Sequence, residues 1–210
     1  MKQDSYEYYE NNKVVGIDID IAKEIAQSLG KELVIKDIAF DSIINELNSG
    51  KADFALAGMS ITEERKEEVD FSIEYAESKQ VIIALKNTNI KTVSDLNNKT
   101  IAVQLGSVAD TYVSENIKTA KIIRQKKFLT ASEDIKSKKA NCLIMDLLPA
   151  TELVKNNSEL TILDIELFTD KYAVAVAKGN NELLKEINNV LNELINSGKI
   201  NEFTLNHTSK

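Results

Sequence analysis

The segment Gly58–Lys66 contains the residue types that a small zwitterionic ligand requires. Arg65 stands at its centre, and arginine is rare in this chain, because 26 residues are basic and only Arg65 and Arg124 are arginine. A guanidinium group is a planar fork that holds a carboxylate through two parallel hydrogen bonds, which an ammonium group cannot do. An arginine in a chain that otherwise uses lysine therefore indicates a geometric requirement, such as a bound carboxylate.

The residues before this arginine predict a strand, a loop and the start of a helix. Residues 53–57 form a short apolar run that is typical of a buried strand. Gly58 allows the backbone to open after this strand, and Thr62 is suited to cap a helix that begins with Glu63. A strand end, a loop with free backbone groups, a hydroxyl and a guanidinium fork make a site for a small zwitterion. The same spacing also permits an exposed helix arginine that pairs with Glu63 or Glu68 and contributes little.

The composition argues against several classes of function. The net charge is −7, and no dense basic patch with aromatic residues occurs, so nucleic acid is not an expected partner. The chain has neither a Walker-type phosphate loop nor a Gly-x-Gly-x-x-Gly motif. The single histidine, His207, argues against histidine-based triads and metal sites, and we expect neither a metal nor a cofactor. The lone Cys142 permits no internal disulfide, and its apolar neighbours predict that it is buried.

The distribution of apolar residues bears on the location of the protein. No apolar run reaches the ~18 residues that a membrane-spanning helix requires, and the first residues lack the pattern of a signal peptide. We therefore expect either a cytoplasmic protein or one whose secretion segment is not part of this sequence.

Helical and strand patterns alternate along the chain, which predicts an α/β fold with mainly parallel sheets. The polar interval 86–91 is the best candidate for a domain boundary, and a second polar interval, 169–171, precedes the last strand. The predicted helices are 18–29, 108–117, 133–138, 147–155 and 181–196. A further predicted helix is capped by Asp41 and ends at Gly50. The predicted strands are 33–35, 53–57, 81–85, 101–103, 121–124, 142–145 and 172–176.

A faint internal repeat aligns residues 48–58 with residues 136–146. Each copy consists of a helix end, a tight turn and a buried strand, although only serine, lysine and alanine match. If the repeat is real, Gly58 and Asp146 occupy equivalent strand ends in two similar lobes. Ligands of open α/β sheets bind beyond the carboxyl ends of strands, so these two residues would then face each other across a cleft.

Two further positions are suited to a charged ligand. Asp146 follows four apolar residues and precedes a helix start, so it either caps this helix or serves as the counter-ion of an ammonium group. The turn 104–107 lies between a strand and a helix. Its backbone N–H groups and Ser107 could receive an anionic oxygen, or the turn could be an ordinary strand–turn–helix connection.

Taken together, these segments resemble the polar amino-acid solute-binding proteins of ABC importers (cluster 3), which have the type II periplasmic-binding-protein fold. The similarity covers almost the whole chain in the family order. Each segment is weak alone, but their joint occurrence is specific. The matching segments are Val14–Ala22, Asn48–Phe54, Gly58–Lys66, Val69–Ser72, Ser94–Leu96, Val103–Ser107, Met145–Asp146 with Pro149–Ala150, and Tyr172–Gly179.

The resemblance implies a protein that binds a polar amino acid between two α/β lobes and delivers it to the permease of an ABC importer. Lobe I would consist of residues 1–85 and 176–210, and lobe II of residues 86–175, with two hinge strands between them. The family implies an extracytoplasmic location, as a periplasmic or lipid-anchored protein, and a monomeric state.

The resemblance also assigns roles to individual residues. Arg65 and the backbone of Ser60 would bind the α-carboxylate of the ligand. Asp146, the Gly58 carbonyl and the Ser60 hydroxyl would bind its α-ammonium group. Three further positions match residues that cover the ligand side chain, touch it, or lie near the carboxylate: Phe40, Gln104 and Ser107, respectively.

The sequence departs from the family pattern in three places. Val108 stands where many relatives have a hydroxyl or a glycine. Lys138 replaces a turn glycine, which would cost about 1 kcal/mol if the position requires a positive φ. Family members also have a strand before the segment that Ser5–Tyr8 matches, and only four residues precede Ser5 here. We therefore expect a gap beside helix 18–29, unless another segment or a neighbouring chain fills it.

Two other functions compete with amino-acid capture. One is an enzyme on the same fold, such as a dehydratase of the cyclohexadienyl type, for which Glu7 and Asp18 would be the candidate acids. The other is a truncated module that no longer binds a ligand. The lack of a histidine near the site and the intact amino-acid signature favour the binding protein.

Overall fold

The structure, a computed structural model, describes residues 6, 8–10 and 13–208. Glu7, one of the two candidate acids, and the first part of the Ser5–Tyr8 segment lie outside the described residues. The chain forms two compact units. The first contains the residues up to Ile38, Ser42–Glu77 and the residues from Asp170 onward, and the second contains Ala39–Asp41 and Ser78–Thr169.

The described elements alternate along the chain, with two short 3₁₀ turns at Phe40–Ser42 and Val93–Leu96. The strands are β1 (Tyr8–Glu10), β2 (Lys13–Val15), β3 (Phe54–Ala55), β4 (Val69–Leu85), β5 (Thr100–Gln104), β6 (Lys121–Gln125), β7 (Cys142–Asp146), β8 (Leu160–Ile162) and β9 (Phe168–Ala177). The α-helices are α1 (Ile17–Ser28), α2 (Ile43–Asn48), α3 (Glu63–Glu68), α4 (Val108–Asn116), α5 (Phe128–Lys136), α6 (Leu147–Lys155), α7 (Asn181–Asn196) and α8 (Lys199–Thr208).

The first unit packs helices against a short set of strands. Strand β9 lies between β3 and β4, and β1 and β2 form a separate antiparallel pair. Helix α1 contacts α7 and α8. The apolar positions of α1 recur at helical spacing, so that Ile21 and Ile25 are fully buried. The same pattern in α7 buries Ile187 and Leu191, as the sequence predicts.

The second unit is a sheet buried on both faces. Strand β5 pairs in parallel with β6 and β7, and β4 pairs antiparallel with β7 and β8. Alternate residues of β4 enter two different apolar clusters, Val81 and Ile83 on one face and Ile82 and Ala84 on the other. Cys142 is fully buried, and burial raises the pKa of its thiol to about 12. The predicted role of Cys142 as a small buried apolar residue is therefore confirmed.

The predicted α/β class is confirmed, and the sheet is mixed. Strand β5 pairs in parallel with β6 and β7, whereas β4 pairs antiparallel with β7, and β9 pairs antiparallel with β3. Both long strands begin earlier than predicted. The two units separate within these strands, at Glu77/Ser78 in β4 and at Thr169/Asp170 in β9. The sequence-based limits, 85/86 and 175/176, lie in the same two strands.

Two predictions near α1 and α2 are wrong. Residues 33–35 are not a strand. None of the backbone groups of residues 33–36 bonds to another described residue, and the Val34 side chain is 77% exposed. A strand needs a partner for its backbone groups, and the described chain supplies none there. Asp41 is not the cap of α2, because it lies inside the 3₁₀ turn and the cap position is Ser42.

A groove of about 750 Å³ lies beside the segment 33–36 in the first unit. The apolar side of α1 lines it through Ile19, Ala22 and Ala26, together with residues 31–38 and 51–57.

The helix end and the turn of the internal repeat are confirmed, but the strand predicted at 53–57 is limited to Phe54–Ala55 and is half-buried. Helices α2 and α5 end at the aligned residues Asn48 and Lys136. The next turn has a positive φ in both copies, +67° at Gly50 and +61° at Lys138. Lys138 therefore does stand where the backbone favours glycine, as the sequence predicts.

Candidate functional site

The loop that follows β3 is held in an unusual conformation at Gly58. Its φ is +52°, and a Cβ atom at this position would lie 3.5 Å from the ring of Tyr172. The Gly58 N–H donates a hydrogen bond to Oδ2 of Asp18 at 2.7 Å. Glycine suits this position, because its backbone adopts a positive φ without strain.

The same loop lies against the first residues of β9. Ser60 and Tyr172 form an isolated antiparallel bridge. The bonds on either side of it run from the Ile61 N–H to the Lys171 carbonyl (3.0 Å) and from the Ala173 N–H to the Met59 carbonyl (3.2 Å). In such a non-hydrogen-bonded pair, the N–H and C=O groups of Ser60 point away from its partner strand, β9.

Two backbone groups of the loop have no hydrogen-bond partner in the described part of the chain. Among the described residues, none accepts a hydrogen bond from the Ser60 N–H and none donates one to the Gly58 carbonyl. One donor and one acceptor of the backbone could thus bind a ligand. This is the pair of groups that the sequence analysis assigns to the two poles of a zwitterion.

Arg65 is anchored under this loop. Its backbone N–H donates to the Thr62 hydroxyl at 3.2 Å, which caps α3 as predicted. Its Nη1 donates to the Ser60 carbonyl at 2.6 Å, and the residue is only 8% exposed. Glu63 pairs instead with Lys66, at 2.7 Å. The alternative of an exposed helix arginine is therefore wrong.

The hydroxyl of Ser60 donates a hydrogen bond to the carboxylate of Asp170. Ser60 is 3% exposed, and Asp170 is half-buried. The sequence analysis did not identify Asp170, because it lies 110 residues from Ser60 and only the polar interval 169–171 marks its position.

Asp18 is the second carboxylate at the loop. It is fully buried, and its Oδ1 accepts a hydrogen bond from the Tyr75 hydroxyl at 2.8 Å. Burial raises the pKa of Asp18 to about 7, although the hydrogen bonds from Gly58 and Tyr75 oppose this shift. The sequence analysis weighed Asp18 only as a candidate acid. The structure shows that it holds the loop.

Asp146 lies at the end of β7 in the second unit, opposite Gln80 of β4. Its Oδ1 accepts a hydrogen bond from Nε2 of Gln80 at 2.7 Å. It occupies the cap position of α6, but its side chain makes no capping hydrogen bond. The interpretation of Asp146 as a helix cap therefore does not hold, and its carboxylate is directed to the neighbouring strand.

The turn that follows β5 begins helix α4 in the second unit. Ser107 caps this helix by accepting a bond from the Asp110 N–H at 3.3 Å, and Gly106 has a φ of +76°. The Gly106 N–H donates to the Asp110 carboxylate at 3.3 Å. Nε of Arg124 contacts both oxygens of the same carboxylate, at 2.9 and 3.0 Å. The chain's own Asp110 is thus an anion at this helix start.

The predicted site residues fall into two groups, one in each unit. Gly58, Ser60 and Arg65 lie in the first unit, where Arg65 donates to the Ser60 carbonyl. Residues Phe40, Gln104, Ser107 and Asp146 belong to the second unit. There, Gln104 and Asp146 end β5 and β7, which are adjacent and parallel, so both residues lie at the same edge of the sheet. The Gln104 side chain makes a long contact, from Nε2 to the Lys126 carbonyl at 3.5 Å. Phe40 begins the 3₁₀ turn.

The described residues contain neither a metal-binding group nor a membrane-spanning helix. No group of histidine, cysteine, aspartate and glutamate side chains there is arranged to hold a metal ion. None of the helices there has the length and apolar character to cross a membrane.

Known protein families provide a match over almost the whole chain. The model of the bacterial extracellular solute-binding proteins, family 3, matches residues 1–208. The chain belongs to this family. It is 32% identical over 203 residues to the arginine-binding extracellular protein ArtP of Bacillus subtilis, which covers 93% of this chain and 78% of ArtP. It is also 32% identical over 197 residues to the ABC transporter glutamine-binding protein GlnH of B. subtilis. This match covers 91% of this chain and 72% of GlnH.

Solved structures extend this similarity to the fold. The amino-acid ABC transporter substrate-binding protein AbpA of Streptococcus pneumoniae, bound to L-arginine, matches with a TM-score of 0.93 and 31% identity. The match covers 98% of this chain and 90% of AbpA. The family 3 protein described here therefore has the type II periplasmic-binding-protein fold, as the sequence predicts.

Proposed function

We propose that this family 3 protein binds a polar amino acid outside the cytoplasm and delivers it to the permease of an ABC importer. The observation that carries the proposal is the set of groups at one loop of the first unit. Eight residues of sequence contain two donors, the buried Arg65 guanidinium and the Ser60 N–H, and one acceptor, the Gly58 carbonyl. An amino acid requires donors for its carboxylate and acceptors for its ammonium group.

Each pole of the ligand has a proposed partner. Arg65 and the Ser60 N–H bind the α-carboxylate, with charge-assisted hydrogen bonds that are stronger than neutral ones. Asp146, the Gly58 carbonyl and the Ser60 hydroxyl bind the α-ammonium group. Both charges then leave water with an opposite charge and further hydrogen bonds, which offsets the cost of their desolvation.

The side chain of the ligand is proposed to contact Phe40 and Gln104, with Ser107 near the carboxylate. An aromatic ring and an amide suit a guanidinium group and a carboxamide equally well. Arginine and glutamine are therefore the first candidates, and relatives with either ligand occur among the similar proteins. We propose a monomer without metal or cofactor, which acts by binding and not by catalysis.

The test is the identity and affinity of the ligand. The purified protein is unfolded, and the released small molecules are identified by mass spectrometry. The refolded protein is then titrated by calorimetry with L-arginine, L-glutamine, L-histidine, L-cystine and a neutral apolar amino acid as control. Release or micromolar binding of a polar amino acid supports the proposal. Turnover of a prephenate-like substrate would show the enzyme of the same fold, and failure of every amino acid to bind would refute amino-acid capture.

A further inference from the structure

We propose that Asp170 is a positioning residue that makes the Ser60 hydroxyl an acceptor for the α-ammonium group of the ligand. This proposal rests on the proposed function, because it concerns the same binding loop. Its basis is the hydrogen bond from the Ser60 hydroxyl to Oδ2 of Asp170.

The backbone around this hydrogen bond places the two side chains together. Hydrogen bonds from Ile61 to Lys171 and from Ala173 to Met59 fix the loop against β9 on both sides of Ser60. The oxygen of Ser60 thereby stays next to the carboxylate, and little of Ser60 is exposed to water that could compete for its proton.

The chemistry of a hydroxyl then determines what Ser60 can offer a ligand. A serine hydroxyl has one hydrogen to donate and two lone pairs to accept with, whereas an ionised carboxylate can only accept. When the hydroxyl hydrogen points to Asp170, the remaining capacity of Ser60 Oγ is that of an acceptor. An ammonium group can only donate, so it is the matching ligand group.

The result is a separation of donors and acceptors around one residue. The Ser60 N–H and the Arg65 guanidinium are donors, which suits the carboxylate of an amino acid. The Ser60 Oγ and the Gly58 carbonyl are acceptors, which suits its ammonium group. Without Asp170 the hydroxyl could rotate and donate to the carboxylate as well, so the protein would bind an acid that lacks the amino group nearly as well.

A double-mutant cycle tests whether Asp170 acts through Ser60. The variants are Asp170→Ala, Ser60→Ala and the double variant, and the ligands are L-arginine and 5-guanidinopentanoic acid, which lacks only the α-amino group. We expect Asp170→Ala to weaken L-arginine binding by about 10- to 100-fold, the range of a hydrogen bond to a charged group. We expect 5-guanidinopentanoic acid binding to change by less than about threefold, because it lacks the group that Ser60 accepts from.

The double variant and the amide variant separate this role from others. We expect the double variant to bind L-arginine no more weakly than Ser60→Ala alone. We expect Asp170→Asn, which can still accept from Ser60 through Oδ1, to retain L-arginine affinity within about threefold. Glu166→Ala, which removes an exposed negative charge, is the matched control.

Several results would overturn the proposal. Equal L-arginine affinity of wild type and Asp170→Ala would do so. A full effect of Asp170→Ala in the Ser60→Ala background, or an equal loss in Asp170→Asn, would make Asp170 a direct counter-ion instead. An equal loss of affinity for both ligands, with a lower melting temperature of the unliganded protein, would mean that Asp170 only stabilises the loop. If wild type binds neither L-arginine nor another amino acid, the proposed function itself fails.

Discussion

Oδ2 of Asp18 accepts a hydrogen bond from the backbone N–H of Gly58 at 2.7 Å, across 40 residues of sequence. The bond fixes the loop at the residue whose carbonyl is proposed to meet the ligand. It also places a fully buried carboxylate behind the binding surface. Two donors, Gly58 N–H and Tyr75 O–H, compensate only part of the cost of burying this charge, since the pKa of Asp18 remains raised to about 7.

This raised pKa predicts how stability depends on pH. The folded protein holds the proton of Asp18 up to about pH 7, whereas the unfolded chain loses it near pH 3.8, the ordinary pKa of an aspartate. The stabilisation that Asp18 contributes is therefore full below pH 4 and is lost as the pH rises to 7. In Asp18→Asn this titration is absent. We expect the free energy of unfolding of the variant to rise, relative to wild type, by about 3 kcal/mol between pH 5 and pH 8.

Urea unfolding of both proteins at the two pH values measures this difference. Asp164→Asn, at an exposed aspartate, is the control, and its difference from wild type should not depend on pH. A constant difference for Asp18→Asn would mean that Asp18 is ionised in the folded protein throughout this range.

The same substitution is predicted to have a large effect at one arginine of the chain and a small effect at the other. Arg65 is buried and bonds to a carbonyl of the binding loop, whereas Arg124 is more exposed and pairs with Asp110. We expect Arg65→Lys to weaken amino-acid binding by about 30- to 1000-fold, because lysine cannot replace the bidentate fork. Arg124→Lys retains the charge of a partly exposed pair, so we expect less than about threefold.

Calorimetry on both variants, with circular dichroism to confirm folding, decides this comparison. A loss below about threefold for Arg65→Lys would refute its assigned role as the carboxylate ligand.

Asp146 is predicted to act through its charge and not through its shape. Asp146→Asn conserves the volume and keeps an oxygen that can accept from Gln80 Nε2. We expect an unchanged melting temperature, since the contact between β4 and β7 persists. We expect amino-acid affinity to fall by at least about 30-fold, because the ammonium group loses its counter-ion. Binding as tight as that of wild type would refute the proposed role of Asp146 as the counter-ion of the ammonium group.

The sequence predicted those parts of the site that are local in the chain. Gly58 and Arg65 lie within one strand–loop–helix segment, whose residue types and spacing indicated a zwitterion site, and the family resemblance added Ser60 to the proposal. Asp18 and Asp170 reach the same loop from 40 and 110 residues away. Their contacts depend on how α1 and β9 pack, and no local pattern reveals such packing.

The same distinction applies to the fold. Helices α1 and α7 were predicted because each has an apolar face that recurs at helical spacing. The first half of β4 was missed, since Glu74, Glu77 and Lys79 interrupt its apolar pattern and its pairing partner lies far away in sequence. The strand predicted at 33–35 has suitable residues, but a strand forms only where a neighbour can pair with it. Strand pairing is thus the feature that the sequence patterns did not reveal.

The repeat of α2–β3 in α5–β7 provides a matched pair for the last prediction. Gly50 and Lys138 follow the aligned helix ends with φ values of +67° and +61°. A left-handed conformation costs a residue with a Cβ atom about 1–2 kcal/mol. Glycine avoids this cost, but it loses more backbone entropy on folding, which offsets part of the stabilisation. We expect Lys138→Gly to stabilise the protein by about 1 kcal/mol, a rise of about 2–4 °C in melting temperature.

The reciprocal change should have the opposite sign. No atom lies within 4 Å of a Cβ built at Gly50, so Gly50→Ala tests the backbone conformation without a steric clash. We expect it to destabilise the protein by about 1 kcal/mol, and neither variant should change amino-acid affinity, because both positions lie at helix ends and not at the binding loop. Calorimetric melting of the two variants and wild type measures the effect. A lower melting temperature for Lys138→Gly would mean that the lysine side chain contributes more at this turn than its backbone conformation costs.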